Sequence, residues 1–517
     1  LSFSHFIYKD VIYRSLPKPR LKRYHKQVGN AMLRKGYSTN QYTVKLAHHF
    51  EKGEDFVLAA RYSMIAGDYL RSLYAPQEAI SYYKTAIEWL SAENDSVSLA
   101  MCHFGMAEAL RLVGKSVEAL QHYEFALPSL KGEIRQAAIY LIFQLKVLQG
   151  KPLGSYHAIA EEAQQAIADE GISWALPLLF WSHSFVYLLI GDQKMMHLYN
   201  ARGWRVARQL IADDKKPATW ICNRAFSLMM RAHNQWGNYH TSIHFAKKNM
   251  SLLPSNTQDV NIKEVIEASL GESYYHLGEY DRARQAFQLC YKLASKAGDL
   301  RLQGESLIGL GSIAFEHGDF EDCQKKIKQV LSLVQQKLDI LRYIQATFLQ
   351  AKMAIAKKEV EGQAQTLTNI LSTARYQGAN PYIAKSLILL AEVHLVEGSV
   401  VEAENAAKEA LDITMLCDLK REFCQANRAF GLSLHHQGNR KAAREHLRES
   451  VIMAEEIGVP FEKGLSLRTK ALLEPEPSLE LLEESLAIFD KIGARFESQN
   501  TRDLILSLQA EYGNQIK

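Results

Sequence analysis

The stretch ASLGESYYHLGEYDRARQAFQLC, residues 268–290, decides the fold of this chain. Gly271 is small enough to let two helices approach closely. Gly278 punctuates a turn, and Tyr280, Ala283 and Phe287 then recur at helical spacing. Forty residues on, GLGSIAFEHGDFEDCQKKI puts Gly311, Gly318, Phe320, Cys323 and Ile327 in the same slots. LLAEVHLVEGSVVEAENAAKEA repeats them with Ala391, Gly398, Val400, Ala403 and Ala407. AFGLSLHHQGNRKAAREHL does so with Gly431, Gly438, Ala443 and Leu447. A degenerate copy centred on Ala351 completes an even series of anchors at 271, 311, 351, 391 and 431.

The N-terminal half keeps the same beat more loosely. Gly67, Ala79, Tyr83 and Ala86 form one copy, and Ala107, Gly114, Ala119, Tyr123 and Ala126 the next. Weaker hairpins follow near Phe143, Ser184 and Met230, and the last, over 461–510, is interrupted by EPEPS. A small residue at a helix contact, a glycine at the turn, then alanine and an aromatic: this pattern resembles the tetratricopeptide repeat, lengthened from 34 residues to about forty. The resemblance implies an all-α, right-handed α-solenoid of about ten to eleven helical hairpins. It covers about residues 58–510, with a short tail at 511–517. The physical reason is independent of the family: a lone hairpin cannot bury both apolar faces, and stacking neighbours buries them and leaves a concave groove. No strand-like alternation competes with this reading.

Composition sets the remaining bounds. The 517 residues are 47% hydrophobic, with a net charge of +4 from 61 basic and 57 acidic residues. Near balance gives no footprint for direct nucleic-acid binding. No apolar run approaches the length of a membrane span. The six cysteines show no zinc or CxxC spacing and read as reduced core thiols. The expectation is a cytoplasmic chain without metal or cofactor.

The chain opens as FSHFIYKDVIY, residues 3–13, already inside an amphipathic helix. Residues 1–57 carry Phe3, His5, Leu16, Pro17, Arg23, His25, Leu46, Ala47, His48 and His49. Ala59, Tyr62 and Ala66 follow at the first repeat. This segment resembles the end of the winged-helix part of STAND-type signalling ATPases, whose repeat sensors are exemplified by the maltose-operon activator. The resemblance implies a C-terminal fragment whose nucleotide-binding module, with its ATP and magnesium, lies upstream. It also implies a sensor that controls oligomerisation on activation and contacts its own upstream module. The trigger would be a protein, a peptide or a small-molecule inducer. The alternative is a stand-alone scaffold that joins partner proteins.

Two motifs look catalytic and are not expected to be. ALRLVGKS, residues 109–116, fits a relaxed phosphate loop, but no strand precedes it and Gly114 falls on a hairpin turn. The pairs His48–His49 and His435–His436 lack the ligand spacing of a zinc site. No converging catalytic set is visible. In tetratricopeptide arrays the first helix of each hairpin lines the groove. That register selects Arg231, Asn234, Gln235, Glu272, Tyr275, His276, Ser312, Glu316, Lys352, Glu392, Arg428, His435 and His436. Trp181, Trp220 and Trp236 join them from a tryptophan-rich stretch that could be either core or contact surface. Co-chaperone repeats hold a terminal carboxylate with a Lys/Asn/Arg clamp. Here Glu272, Ser312 and Glu392 stand where Asn is expected, so the groove suits a protein surface or folded loop better.

Overall fold

The computed structural model describes residue 11 and residues 13–515, apart from the short stretches 92–94, 149–151, 170–173, 213–217, 252–259, 336–338 and 475. Among the described residues the chain is all-α, with no strand. Among the elements described from Lys18 onward, the helices Lys18–Arg34 and Asn40–Lys52 precede eleven antiparallel hairpins, and a final helix, Arg495–Gln515, closes the series. Between Val260 and Leu473 helices begin at residues 260, 280, 300, 320, 340, 363, 380, 400, 420, 440 and 460, a beat of twenty with one slip of three. The forty-residue repeat is therefore two helices of about four to five turns each, joined by turns of only a few residues.

The small anchors act as the sequence suggests. A Cβ on Gly271 would lie 2.7 Å from the Phe287 ring, and one on Gly309 would lie 2.4 Å from it. Phe287 fills the space that two glycines leave between neighbouring hairpins. Tyr83 does the same against Gly67 and Gly105. Cys102, Cys290, Cys323, Cys417 and Cys424 are free and buried, while the side chain of Cys222 lies outside the described residues.

The chain divides into two compact units: residues 1–145 with 296–299, and residues 146–295 with 300–517. In the first, the N-terminal pair packs through Leu46, Ala47 and Phe50 onto Ala59, Tyr62 and Ala66. His25 Nδ1 lies 3.0 Å from His49 Nδ1, and the Tyr13 hydroxyl 2.7 Å from His25 Nε2. His48 packs edge-on against both rings. Phe3 and His5 lie outside the described residues. The phosphate-loop look-alike is a helical turn: Ala109 belongs to the helix Ser96–Leu112, Gly114 has φ 73°, and Lys115 pairs with Glu118 at 2.8 Å.

In the second unit the hairpins pack on neighbours in sequence and also on hairpins far along the chain. Tyr239 is buried with Cys424, Ile457 and Val459. Tyr274, Tyr280 and Phe287 share a core with Phe489 and Ala494. A Cβ on Gly278, which has φ +76°, would lie 2.7 Å from Ile492 Cγ2. Phe496 packs against Phe315 and Phe320.

Candidate functional site

Repeat geometry places the inner-face residues of the second unit. One turn position of each first helix recurs every forty residues, so Glu272, Ser312, Lys352 and Glu392 stand in equivalent places on four helices. A second set comes from the third position of the helices that begin at Ile340, Lys420, Pro460 and Arg495. These residues are Arg342, Glu422, Glu462 and Glu497, four charged side chains only 6, 2, 4 and 9% exposed. Burying charge is expensive unless it is paired, and the pairing organises the face.

One carboxylate gathers three guanidinium groups. Glu305 Oε2 lies 3.2 Å from Arg231, 2.9 Å from Arg342 and 3.9 Å from Arg301. Burial acts to raise the Glu305 carboxyl, but the three cations overcome it and hold it down at about 2. Beside it Asn234 donates to Glu272 Oε2 and to the Ser269 carbonyl, both at 3.0 Å, and accepts from Ser273 Oγ at 2.7 Å. Gln235 donates to the Leu188 carbonyl at 2.8 Å.

A positive pole follows. Glu422 accepts from Arg421 and lies 3.5 Å from Lys385, so one carboxylate faces two cations. The Arg421 guanidinium also lies against the His276 ring, 3.1 Å from Nδ1. Burial, then Arg421, Lys352 and Lys385, hold His276 well below the usual histidine range, so it is neutral.

An acidic pole faces it. Glu316, Glu392, Glu462 and Glu497 come from four different helices. Arg428 bridges Glu462 at 2.8 Å and Glu392 at 3.9 Å, and Arg468 pairs with Glu497 at 2.5 Å. Tyr275 donates its hydroxyl to Glu316 Oε1 at 2.7 Å. Glu316 is 2% exposed, and its Oε2 has no hydrogen-bond partner among the described residues. Burial pushes this carboxyl up to about 8, with Glu497 and Glu462 adding to the rise and Tyr275 and Lys352 opposing it. Burial also raises Glu392. Lys352 is exposed and makes no ion pair among the described residues, yet its field reaches Glu316, Glu392 and His276.

The register-selected residues therefore divide. Arg231, Asn234, Gln235, Glu272, Tyr275, His276, Glu316, Lys352, Glu392 and Arg428 lie on or beside this charged face. His435 and His436 sit at the last turn of the helix Lys420–His436, with rings 6.1 Å apart, one half-buried and one exposed. Trp181 and Trp236 are 5% and 3% exposed. Trp181 packs edge-on against Trp204 and presses on Gly203, and Trp236 lies beside His197 and His233. Both fill gaps between helices. The side chain of Trp220 lies outside the described residues. Glu422, Glu462 and Glu497 were not legible as site residues, because glutamate in the first turn of a helix ordinarily reads as a favourable dipole partner. Their recurrence at one helix position was the available signal.

No group of three or more His, Cys, Asp or Glu able to hold a metal occurs among the described residues, and none of the described helices is long and apolar enough to cross a membrane. Glu316 is a neutral acid in contact with Tyr275, but no nucleophile adjoins the pair among the contacts described.

Comparison with known proteins adds the repeat type. The tetratricopeptide repeat family model matches residues 431–449. No curated protein matches the chain significantly. Among solved structures, the chain is similar to a Rap protein complexed with competence and sporulation factor, at 11% identity over 66% of this chain and 99% of that one, with a TM-score of 0.47. It is similar as well to the Cut9–Hcn1 hetero-tetramer of the APC/C, at 12% identity over 95% of this chain and 98% of that one, with a TM-score of 0.48. Both TM-scores lie below 0.5, and neither likeness bears on function. The family match is to one repeat, at residues 431–449, within an array of helical hairpins.

Proposed function

We propose that this chain is the sensing domain of a signal-transduction ATPase of the STAND type, and that it recognises a protein or peptide trigger on the inner face of its second unit. The observation that carries the recognition site is the charged lining built from first helices. Cations and carboxyls converge there from seven hairpins, while Lys352 stays exposed among them. A face used only for stability would close over apolar side chains, since replacing buried ion pairs by hydrophobic ones is often neutral or stabilising. The resemblance of residues 3–66 to the segment that joins a winged helix to its sensor supports the signalling context.

Site-specific photocrosslinking tests the site. A photoreactive amino acid is placed at Ser312 or Lys352 on the inner face, and at Tyr376 or Leu416 on the exposed second helices. The full chain is irradiated in a lysate of the source cells, and adducts are sequenced. One partner crosslinked from both inner positions and neither outer one supports the reading. Adducts only from the outer positions overturn it.

A further inference from the structure

The acidic pole has more carboxyls than the face itself satisfies. Arg428 serves Glu462 and Glu392, and Arg468 serves Glu497. Among the described residues Glu316 receives the Tyr275 hydroxyl on one oxygen, and its other oxygen is buried without a partner. A buried unpartnered carboxyl oxygen costs stability, by about 1–3 kcal/mol for a typical polar group. A site that keeps one has a use for it or an occupant for it.

The surroundings specify the occupant. The Tyr275 ring, whose hydroxyl reaches the carboxyl, stands 5.6 Å from the Tyr280 ring. Tyr280 is buried and senses Glu316, Glu462 and Glu497 together. Aromatic faces next to carboxylates are the environment that a cationic side chain prefers, because ring quadrupole and carboxylate attract the same charge. Glu392, Glu462 and Glu497 already meet a guanidinium, which leaves Glu316 as the carboxyl open to a new cationic partner. The positive pole at Lys385 and Arg421 marks where an acidic group of the same partner would lie.

We propose that Glu316, flanked by Tyr275 and Tyr280, is the receptor for a lysine or arginine side chain of a peptide bound on the inner face. The inference rests on the proposed recognition of a protein or peptide trigger. In the empty protein the carboxyl holds a proton. The incoming cation takes the proton's place, the Glu316 O–H bond breaks, and the proton leaves to solvent. A carboxylate–cation pair remains. Lys352, Glu462, Glu497 and Tyr275 are the groups that face this exchange.

Nonapeptide pools with one position fixed as Arg, Lys, Glu or norleucine serve as probes, read by fluorescence polarisation against the full chain. The expected result is a preference for Arg or Lys at one position. Glu316→Gln should weaken that preference about tenfold or more, equivalent to losing a charge-assisted contact. The glutamine is isosteric with the neutral acid and keeps the fold, which circular dichroism checks. Calorimetry of the selected Arg peptide in phosphate and in Tris at pH 7 should show release of about one proton, since a carboxyl titrating near 8 is mostly protonated there. The variant should release none. Peptides that bind without a basic preference, or whose basic preference survives Glu316→Gln, overturn this inference and leave the recognition reading standing. Loss of the preference in Lys352→Met but not in Glu316→Gln also overturns it. Absence of peptide binding in every pool counts against the recognition reading itself.

Discussion

Tyr275 and Glu316, 41 positions apart on successive first helices, are joined by a 2.7 Å hydrogen bond from the phenol to the carboxyl. Burial, working against this bond, keeps the acid protonated near neutral pH, and its second oxygen has no partner among the described residues.

Stability should fall as pH rises because of this acid. The folded-state carboxyl titrates at about 8 against 4.5 for the ordinary group, so between these values the folded protein holds a proton that the unfolded chain releases. The native state then binds more protons, and unfolding free energy falls with pH across this window. Glu316→Gln removes that slope. Chemical denaturation at pH 5 and pH 8.5 should show the variant gaining on the parent, by on the order of a few kcal/mol at the higher pH. Parallel pH profiles for the two proteins would refute the assignment.

Arg428 and Glu462 form a pair in which both side chains are buried, at 2.8 Å. Arg428→Met strands the Glu462 carboxylate, with Gln425 as its only remaining donor among the described contacts. The expected cost is about 3–5 kcal/mol, the range for breaking a buried pair. The double variant Arg428→Met/Glu462→Leu should recover most of it. Urea denaturation of the three proteins decides, and a double variant as unstable as the single would show the pair to be needed for reasons beyond charge.

Gly278 and Gly398 both have positive φ, but only Gly278 meets a distant hairpin, at Ile492 and Pro460. Nothing lies within 4 Å of a Cβ on Gly398. Gly398→Ala should cost about 1 kcal/mol for left-handed backbone strain alone. Gly278→Ala adds overpacking of about 1–3 kcal/mol. Thermal unfolding of both variants measures the difference, and equal losses would mean that the long-range contact yields freely.

Lys115 pairs with Glu118 in solvent at the turn of a helical hairpin. Lys115→Ala should change stability by about 0.5 kcal/mol or less, as for other exposed pairs. Calorimetric titration of the chain with magnesium-ATP should give the same trace for parent and variant. A binding signal lost in the variant would restore a nucleotide role to residues 109–116.

How much of this was legible from the residues depends on the range of the interaction involved. The hairpins could be read because every cue for them is local. Gly271 and Phe287 meet across one turn, Gly278 adopts positive φ within the turn, and the cues return after forty residues. The period gave the register, and the resemblance to tetratricopeptide arrays, whose first helices line the groove, placed Glu272, Lys352 and Glu392 on the inner face. What spacing could not decide was which hairpins meet again further along the chain. The contacts of Gly278 with Ile492, and of Tyr239 with Ile457, join residues some two hundred positions apart. They depend on small rotations summed over several hairpins, which no single repeat encodes. The same accumulation brings Glu316, Glu462 and Glu497 together. It turns a glutamate of ordinary appearance at the end of one helix into a neutral acid with one oxygen unpartnered among the described residues. The tryptophans went the other way: Trp181 and Trp236 looked like contact residues by type, and neighbouring helices cover them. Sequence determined the repeat, the turns and the inward-facing positions, because these are short-range and periodic. The tertiary structure alone decided which charges share a low-dielectric interior, because that depends on distance through space.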